Sequence, residues 1–274
     1  MIPYQEPKSN AVPGHETIRR AHHCLTEVLK ETAQRCGGVA QEKDGLLLVA
    51  VNHPCPIFVN SALRTGPADA ASVLRRSREF FAARDRYCET WALIGADTDI
   101  EQAAIAAGMQ VAIEMVGMVL HQSPAMPAIP AGVEIRRVEN AEGVKDFAHV
   151  ASEGFRDDAP GLGDLVSMIF SEPRSLLAPD TAAFVVRSQG QPAAGALTMV
   201  KDNVAWIGWV ATIPKFRRQG LGKLATAAAT SAGFQLGADF ASLEATPAGA
   251  PVYSRLGFEE ILRYRTYWPP EYQP

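Results

Sequence analysis

Two rhythms of apolar and polar positions run through this chain. Residues 133–138 alternate with the period of a strand, and Ala141–Phe155 sets Val144, Phe147, Ala148 and Ala151 on one helical face. Residues 181–187 and 193–201 read as strands joined by the turn Ser188-Gln-Gly-Gln-Pro192, and Val204–Thr212 reads as a third antiparallel strand. An alanine-rich stretch from Lys223 to about Leu236 predicts a helix. A strand over Phe240–Ala245, a short helix over 250–256 and a last strand over 260–267 follow.

The first half repeats part of this order. His15–Arg35 reads as a helix, 46–51 and 56–63 as strands, and 68–84 as a helix. A strand over 90–94, a helix over 100–107 and a strand over 109–120 complete it, and Ala106-Ala-Gly-Met109 stands where Arg255-Leu-Gly-Phe258 stands later. Between the halves lie Pro124, Pro127 and Pro130, which donate no ladder hydrogen bonds and favour an extended path. The expected division is 1–125, a linker over 126–132, and 133–274. The expected class is α/β (α+β), with a mixed, mostly antiparallel sheet flanked by helices in each unit.

Composition narrows the function classes. Hydrophobic residues make up 47% and charged residues 20%, which predicts a packed core. A net charge of −4 argues against nucleic acid as the main partner. No run of about 18 apolar residues predicts a membrane span, and residues 1–8 lack the apolar core of a signal peptide. Cys24, Cys36, Cys55 and Cys88 form no C-x-x-C pair and read as reduced thiols, which with the missing leader predicts a cytoplasmic protein. His22 and His23 are adjacent, so on a helix they diverge; no metal spacing occurs elsewhere.

The chemistry concentrates after the strand ending at Thr212. Pro214 stops it, Lys215, Arg217 and Arg218 bring positive charge, and Gly220 and Gly222 open a helix. Backbone N–H groups at the positive end of a helix dipole, approached closely over glycines, suit a pyrophosphate. In the first half only Arg64-Thr-Gly-Pro-Ala-Asp69 stands at that place, with a proline for one N–H and one glycine missing. It reads as a degenerate copy.

Gly220-x-Gly222-x-x-Ala225 fits the permissive dinucleotide fingerprint, and Glu244 falls where a ribose-binding acid could stand. However, Pro214 to Gln219 intervene between strand and glycine, and only 30 residues follow Glu244. A nucleotide-triphosphate loop fails because Gly222-Lys223 is followed by Leu224.

Residues 210–222 resemble the acetyl-coenzyme A motif Q/R-x-x-G-x-G/A of the GNAT N-acetyltransferase superfamily, with Arg217, Gly220 and Gly222 at its defining positions. Val252-Tyr-Ser-Arg-Leu-Gly-Phe258 resembles the family's L-Y-x-x-L-G-F. The resemblance is firm over residues 133–268 and follows element order over the first half, implying a tandem form whose amino-terminal GNAT-like unit is degenerate. The asparagine often found before the tyrosine helix is missing from Glu244-Ala-Thr-Pro-Ala-Gly-Ala-Pro-Val-Tyr253, which leaves part of the pantetheine contact set open.

The resemblance implies acetyl transfer from acetyl-coenzyme A (acetyl-CoA) to an amine. It places the cofactor on Val210, Ala211, Thr212, Arg217, Arg218, Gln219, Gly220, Leu221, Gly222 and Lys223. It assigns Tyr253 as general acid, the alternative being a hydroxyl that only positions the sulfur; Glu244, on the strand beside the splay, is the candidate base, with an ordinary strand glutamate or a group acting through water equally open. A non-catalytic acyl-CoA-binding or sensing protein is the alternative, and an NAD(P)-dependent oxidoreductase a third reading. Glu153, Asp157 and Asp158 are either a solvated acidic loop or an attraction for a cationic amine. Trp206 and Trp209 alternate to opposite faces of their strand. Arg263, Tyr264, Arg265 and Tyr267 are candidates for the acceptor border. The acceptor and the oligomeric state are not legible.

Overall fold

The computed structural model describes residues 14–272, so the stretch 1–8 read for targeting lies outside the described residues. The first half forms α1 (His15–Arg35), β1 (Val39–Lys43), β2 (Leu46–Ala50), β3 (Ser61–Arg64), α2 (Ala70–Ala82), β4 (Glu89–Leu93), α3 (Thr98–Ala106) and β5 (Gln110–Leu120). The second forms β6 (Val133–Arg137), α4 (Ala141–Phe155), α5 (Leu162–Ile169), β7 (Thr181–Ser188), β8 (Gln191–Lys201) and β9 (Val204–Thr212). It ends with α6 (Leu221–Gln235), β10 (Phe240–Ala245), α7 (Ala250–Ser254) and β11 (Glu259–Trp268). The mixed, mostly antiparallel α/β class is as expected.

Departures from the sequence reading have local causes. β1 carries Gln41, Glu42 and Lys43 on an exposed sheet edge, so no apolar alternation marked it. The strand expected over 56–63 begins only at Ser61. Before it, Pro56 lacks a ladder donor, Phe58 holds φ 57°, and the Asn60 amide is spent inside the loop. α5 is a short helix the reading passed over.

All strands join one sheet in the order β1-β2-β3-β4-β11-β5-β10-β9-β8-β7-β6. Among the described residues only β3/β4 and β9/β10 pair in parallel. The two halves exchange strands: β5 of the first lies beside β10, while β11 of the second lies beside β4, and β5 and β11 pair antiparallel at the centre. Gly108 (φ 74°) and Gly257 (φ 95°) end the helices that lead into these strands. The next residues then donate alike, Met109 N–H to Ala104 O and Phe258 N–H to Tyr253 O. That matched pair of helix stops is the internal repeat seen at 106–109 and 255–258.

One face of the sheet is covered by α1, α4 and α5, which bury Leu25, Leu29, Phe147 and Leu165 against Leu197, Val204 and Trp206. Burying each such side chain stabilises the fold by about 1.5–3 kcal/mol. The other face carries α2 and α3 over the first half and α6 and α7 over the second.

Candidate active site

The helix start after β9 is open. Gly220 sits in the left-handed region (φ 77°) as N-cap of α6, with no side chain capping the first N–H groups. No atom lies near where its Cβ would stand, whereas a Cβ on Gly222 would come within 3.0 Å of the Thr212 hydroxyl. Arg218, Gln219 and Gly220 are exposed, with Leu221 and Lys223 in the first turn. Arg217 turns away from this opening. It donates to Thr212 O (3.2 Å) and Gly154 O (2.8 Å), bracing the end of β9 against α4, and Lys215 donates to Gln191 Oε1 (3.0 Å).

Beside this helix start the sheet divides. β9 and β10 pair only from Val204↔Phe240 to Trp206↔Ser242, so their carboxyl ends part beyond that point. On the far side of β9, Gly195↔Ala211 and Leu197↔Gly208 leave Trp209 and Val210 opposite the single residue Ala196, a β-bulge with Trp209 at φ 52°. Ile213 N–H donates to Ala193 O, and strand alternation from there turns the main-chain groups of Val210 and Thr212 toward the gap and those of Ala211 toward β8.

The bulge also overturns one expectation. Trp206 and Trp209 do not face opposite sides; the extra residue brings both onto the α1/α4 face, where both touch Phe58. A Cβ on Gly208 would lie 1.8 Å from the Trp206 ring, so that glycine lets the indole lie along its own strand. There Trp206 Nε1–H donates to Glu244 Oε2 at 2.7 Å. Burial pushes the Glu244 carboxyl up to about 7, outweighing the indole bond that favours its ionised form.

Tyr253 approaches from the other face. Its ring packs edge-on to Phe258 at 6.2 Å and joins the α6 side of the core; burial alone pushes its phenol to about 12. Glu244 and Tyr253 thus belong to opposite faces of the sheet, on either side of the β9/β10 gap.

Other candidates scatter. Glu153 pairs with Arg156 on the surface. Asp158 lies near Arg217, and burial raises its carboxyl. On β11, Tyr264 is buried on the α1 face and bonds His22 Nδ1 at 2.8 Å, while Tyr267 is buried under α2 and α3. Arg263 pairs with Glu260, and Arg265 with Glu101 and Glu114. Arg263 and Glu260 line a groove of about 560 Å³ with Pro247, Ala250 and Arg255 along α7, apart from the Trp206–Glu244 pair. Among the described residues no cluster could hold a metal ion and no helix is long and apolar enough to cross a membrane.

Residues 149–258, which hold the glycine loop, the gap and Tyr253, match the Acetyltransferase (GNAT) family. The chain carries a GNAT acetyltransferase domain. The chemistry of this family is acyl-CoA-dependent acetyl transfer, and its domains use acetyl-CoA. Among solved structures, the chain is similar to a GCN5-related N-acetyltransferase from Kribbella flavida, with 25% identity, coverage of 90% of this chain and 96% of that one, and a TM-score of 0.69. A GCN5-related N-acetyltransferase from Sphaerobacter thermophilus is alike in fold at 16% identity, covering 92% and 90%, with a TM-score of 0.62. So is a tandem GNAT protein from the clavulanic acid biosynthesis pathway, at 14% identity, covering 84% and 78%, with a TM-score of 0.57. No match was found among curated proteins. The sheet, with two parallel pairs among its ten pairings, is not the doubly wound sheet of a dinucleotide-dependent oxidoreductase.

In the first half the turn at the corresponding place has its donors bonded within the chain. The Asp69 carboxylate accepts from Ser72 N–H at 2.8 Å and so caps α2. Thr65 and Gly66 N–H donate to Gly45 O, and Ala68 N–H to Gly66 O. Arg64 is tied to Asp97 and Asp99. The donors and the charge that a pyrophosphate would use are satisfied internally.

Sequence reasoning missed Phe58, which reaches the second unit's site from a loop of the first. Its signal was the run His53-Pro-Cys-Pro-Ile-Phe58, with one proline just before a supposed strand and one at its first position.

Proposed function

We propose that the protein is an N-acetyltransferase that moves an acetyl group from acetyl-CoA directly to an amine, on a small molecule or a peptide. The observation that carries this reading is the Glu244 carboxyl, raised to about 7 and held by Trp206 at the β9/β10 gap. A base poised near neutrality suits deprotonation of an ammonium group.

The open start of α6 and the two glycines fit a pyrophosphate. Main-chain N–H groups from Arg218 to Lys223 would hold it, with Arg217 bracing the loop and Val210 and Thr212 lining the pantetheine arm. Acetyl-CoA supplies an acetyl group activated as a thioester. Glu244 takes one proton of the acceptor ammonium, and the freed amine attacks the thioester carbonyl to form the new C–N bond; the second proton leaves the nitrogen to solvent as the tetrahedral intermediate collapses. The Val210 N–H stabilises the oxyanion. As the C–S bond breaks, Tyr253 gives its proton to the sulfur and recovers one from solvent. With a phenol at about 12, Tyr253 remains a donor throughout the working pH range.

The test is thiol release and product mass with acetyl-CoA and a panel of primary amines. The rate with the best amine should rise through about pH 7 to a plateau, and Glu244→Gln should lose about 10²-fold or more. Acetyl-CoA binding without transfer to any amine would instead support a sensing protein.

A further inference from the structure

Residues 51–60 belong to the first half by chain order, yet they end against the active site of the second. The loop is built to hold its shape. Asn60 is fully buried; its amide oxygen accepts from Val51 N–H (2.9 Å) and its amide nitrogen donates to the carbonyls of His53 (2.9 Å) and Cys55 (2.7 Å). Phe58 sits at φ 57°, where phenylalanine is strained, and its N–H donates to Glu89 Oε2 at 3.2 Å. Glu89 is buried too, and its other oxygen accepts from the Thr266 hydroxyl at 2.7 Å. Strained backbone of this kind persists only where its surroundings over-determine it.

That backbone delivers the phenyl ring onto the site. Phe58 stacks on Trp206 with centroids 5.6 Å apart and planes at 26°, and meets Trp209 edge-on at 5.1 Å. Trp206 lies over Gly208, which gives the indole no side chain to lean on there. Its bond to Glu244 needs the ring held in one orientation, and Phe58 covers its open flank.

We propose that Phe58 is a positioning residue for the second half's reaction: it clamps the Trp206 indole, whose N–H holds the Glu244 carboxylate at the gap. The inference rests on Glu244 being the base. It gives the first half a duty in catalysis although its own cradle is filled. The strand exchange is what fixes the loop there, because Thr266 on β11 and Glu89 on β4 anchor Phe58 from both halves.

The test needs no known acceptor at first. The intrinsic fluorescence of the free protein is titrated with pH, and the difference between wild type and Trp206→Phe isolates the indole that touches Glu244. Cys24 and Tyr264, both of which feel the Glu244 charge, are raised by burial, and His22 beside Tyr264 is lowered by burial. The difference signal should have a midpoint near 7 and vanish in Glu244→Gln. In Phe58→Ala, water reaches the carboxylate while the indole bond that favours its ionised form loosens; burial is the larger of the two causes, so the midpoint should fall, by up to about one pH unit. With the best amine of a primary-amine panel, kcat should fall about tenfold while the acetyl-CoA Kd stays unchanged. Phe58→Tyr keeps the ring and should restore both. A folded Phe58→Ala with the wild-type midpoint and kcat, alongside an inactive Glu244→Gln, overturns the clamp and leaves the base intact. A fully active Glu244→Gln overturns the base reading, and the clamp with it. If Phe58→Ala does not fold, Phe58→Leu, which fills the space without a flat face, is read in the same way.

Discussion

Asp69 and Gly220 stand at equivalent places, each at the N-cap of the helix that follows a strand, and they act there in opposite ways. The Asp69 carboxylate bonds Ser72 N–H and closes the amino end of α2, while Gly220 leaves that of α6 uncapped. An uncapped helix start is uncomfortable unless an anion satisfies it. The first half meets that need with its own carboxylate; in the second the proposed ligand would meet it.

One binding site per chain is the first expectation. Isothermal calorimetry with acetyl-CoA should give a stoichiometry of one, assigned to the second half. Two equivalent sites would mean that the bonds from Thr65 and Gly66 to Gly45 O open on binding.

Gly220→Asp should copy the first half's arrangement into the second. There is open space beyond the missing Cβ, so the carboxylate fits at the start of α6, although from a left-handed backbone (φ 77°) rather than the extended one from which Asp69 caps α2. Aspartate tolerates positive φ better than most residues, so the melting temperature should change little. The like charge and the occupied donors should weaken acetyl-CoA binding by about 100-fold or more. Near-normal affinity in the folded variant would remove α6 from the binding site.

The exchanged strands predict that the halves fold together. Residues 133–274 made alone lack β5, which separates β10 from β11, and β4, which pairs with the far edge of β11. Circular dichroism should show a protein without a cooperative melt, and co-expression of residues 1–125 should restore one. A stable, acetyl-CoA-binding fragment of 133–274 would show that β10 and β11 can pair without β5.

This exchange was the least legible part of the fold. Periodicity finds elements, and it placed β9 and β10 to the residue, but it carries no information on which strand lies beside which. The repeat of Gly108 and Gly257 was visible in sequence, whereas the crossing of the strands after them was not. At the site, the glycine loop, Glu244 and Tyr253 could be named because motif spacing survives in a single chain. The bulge at Trp209 could not, since one extra residue leaves no mark in a run of apolar positions, and it reversed the facing of that side chain. Phe58 was hidden for a further reason: it acts across about 150 residues of sequence, through a strained turn rather than a periodic element.

Buried Glu89 predicts a pH dependence of stability. Desolvation raises its folded-state carboxyl from 4.5 to about 7, so the folded protein binds a proton that the unfolded chain has released. The contribution is complete below about 4.5 and lost as pH rises through about 7, on the order of 3 kcal/mol for so buried a group. Glu244 acts in the same direction. Urea melts of Glu89→Gln should therefore depend less on pH between 5 and 8 than those of wild type. An unchanged slope would mean that Glu89 is ionised in the fold.

Tyr253→Phe tests the mechanism at the sulfur. Phenylalanine keeps the ring that packs against Phe258 and removes only the hydroxyl, so folding and acetyl-CoA affinity should hold. The phenol at about 12 is a weaker acid than a free thiol, so proton transfer to the sulfur is uphill, and least so where negative charge has built there in the transition state. Its help is therefore confined to that state, and kcat and kcat/KM should fall together. A loss of about 10²- to 10⁴-fold is expected for a positioned general acid. A loss of only about tenfold would correspond to one hydrogen bond to the sulfur without proton transfer. A wild-type rate would leave the thiolate to depart unaided, and Tyr253 would be a packing residue on α7.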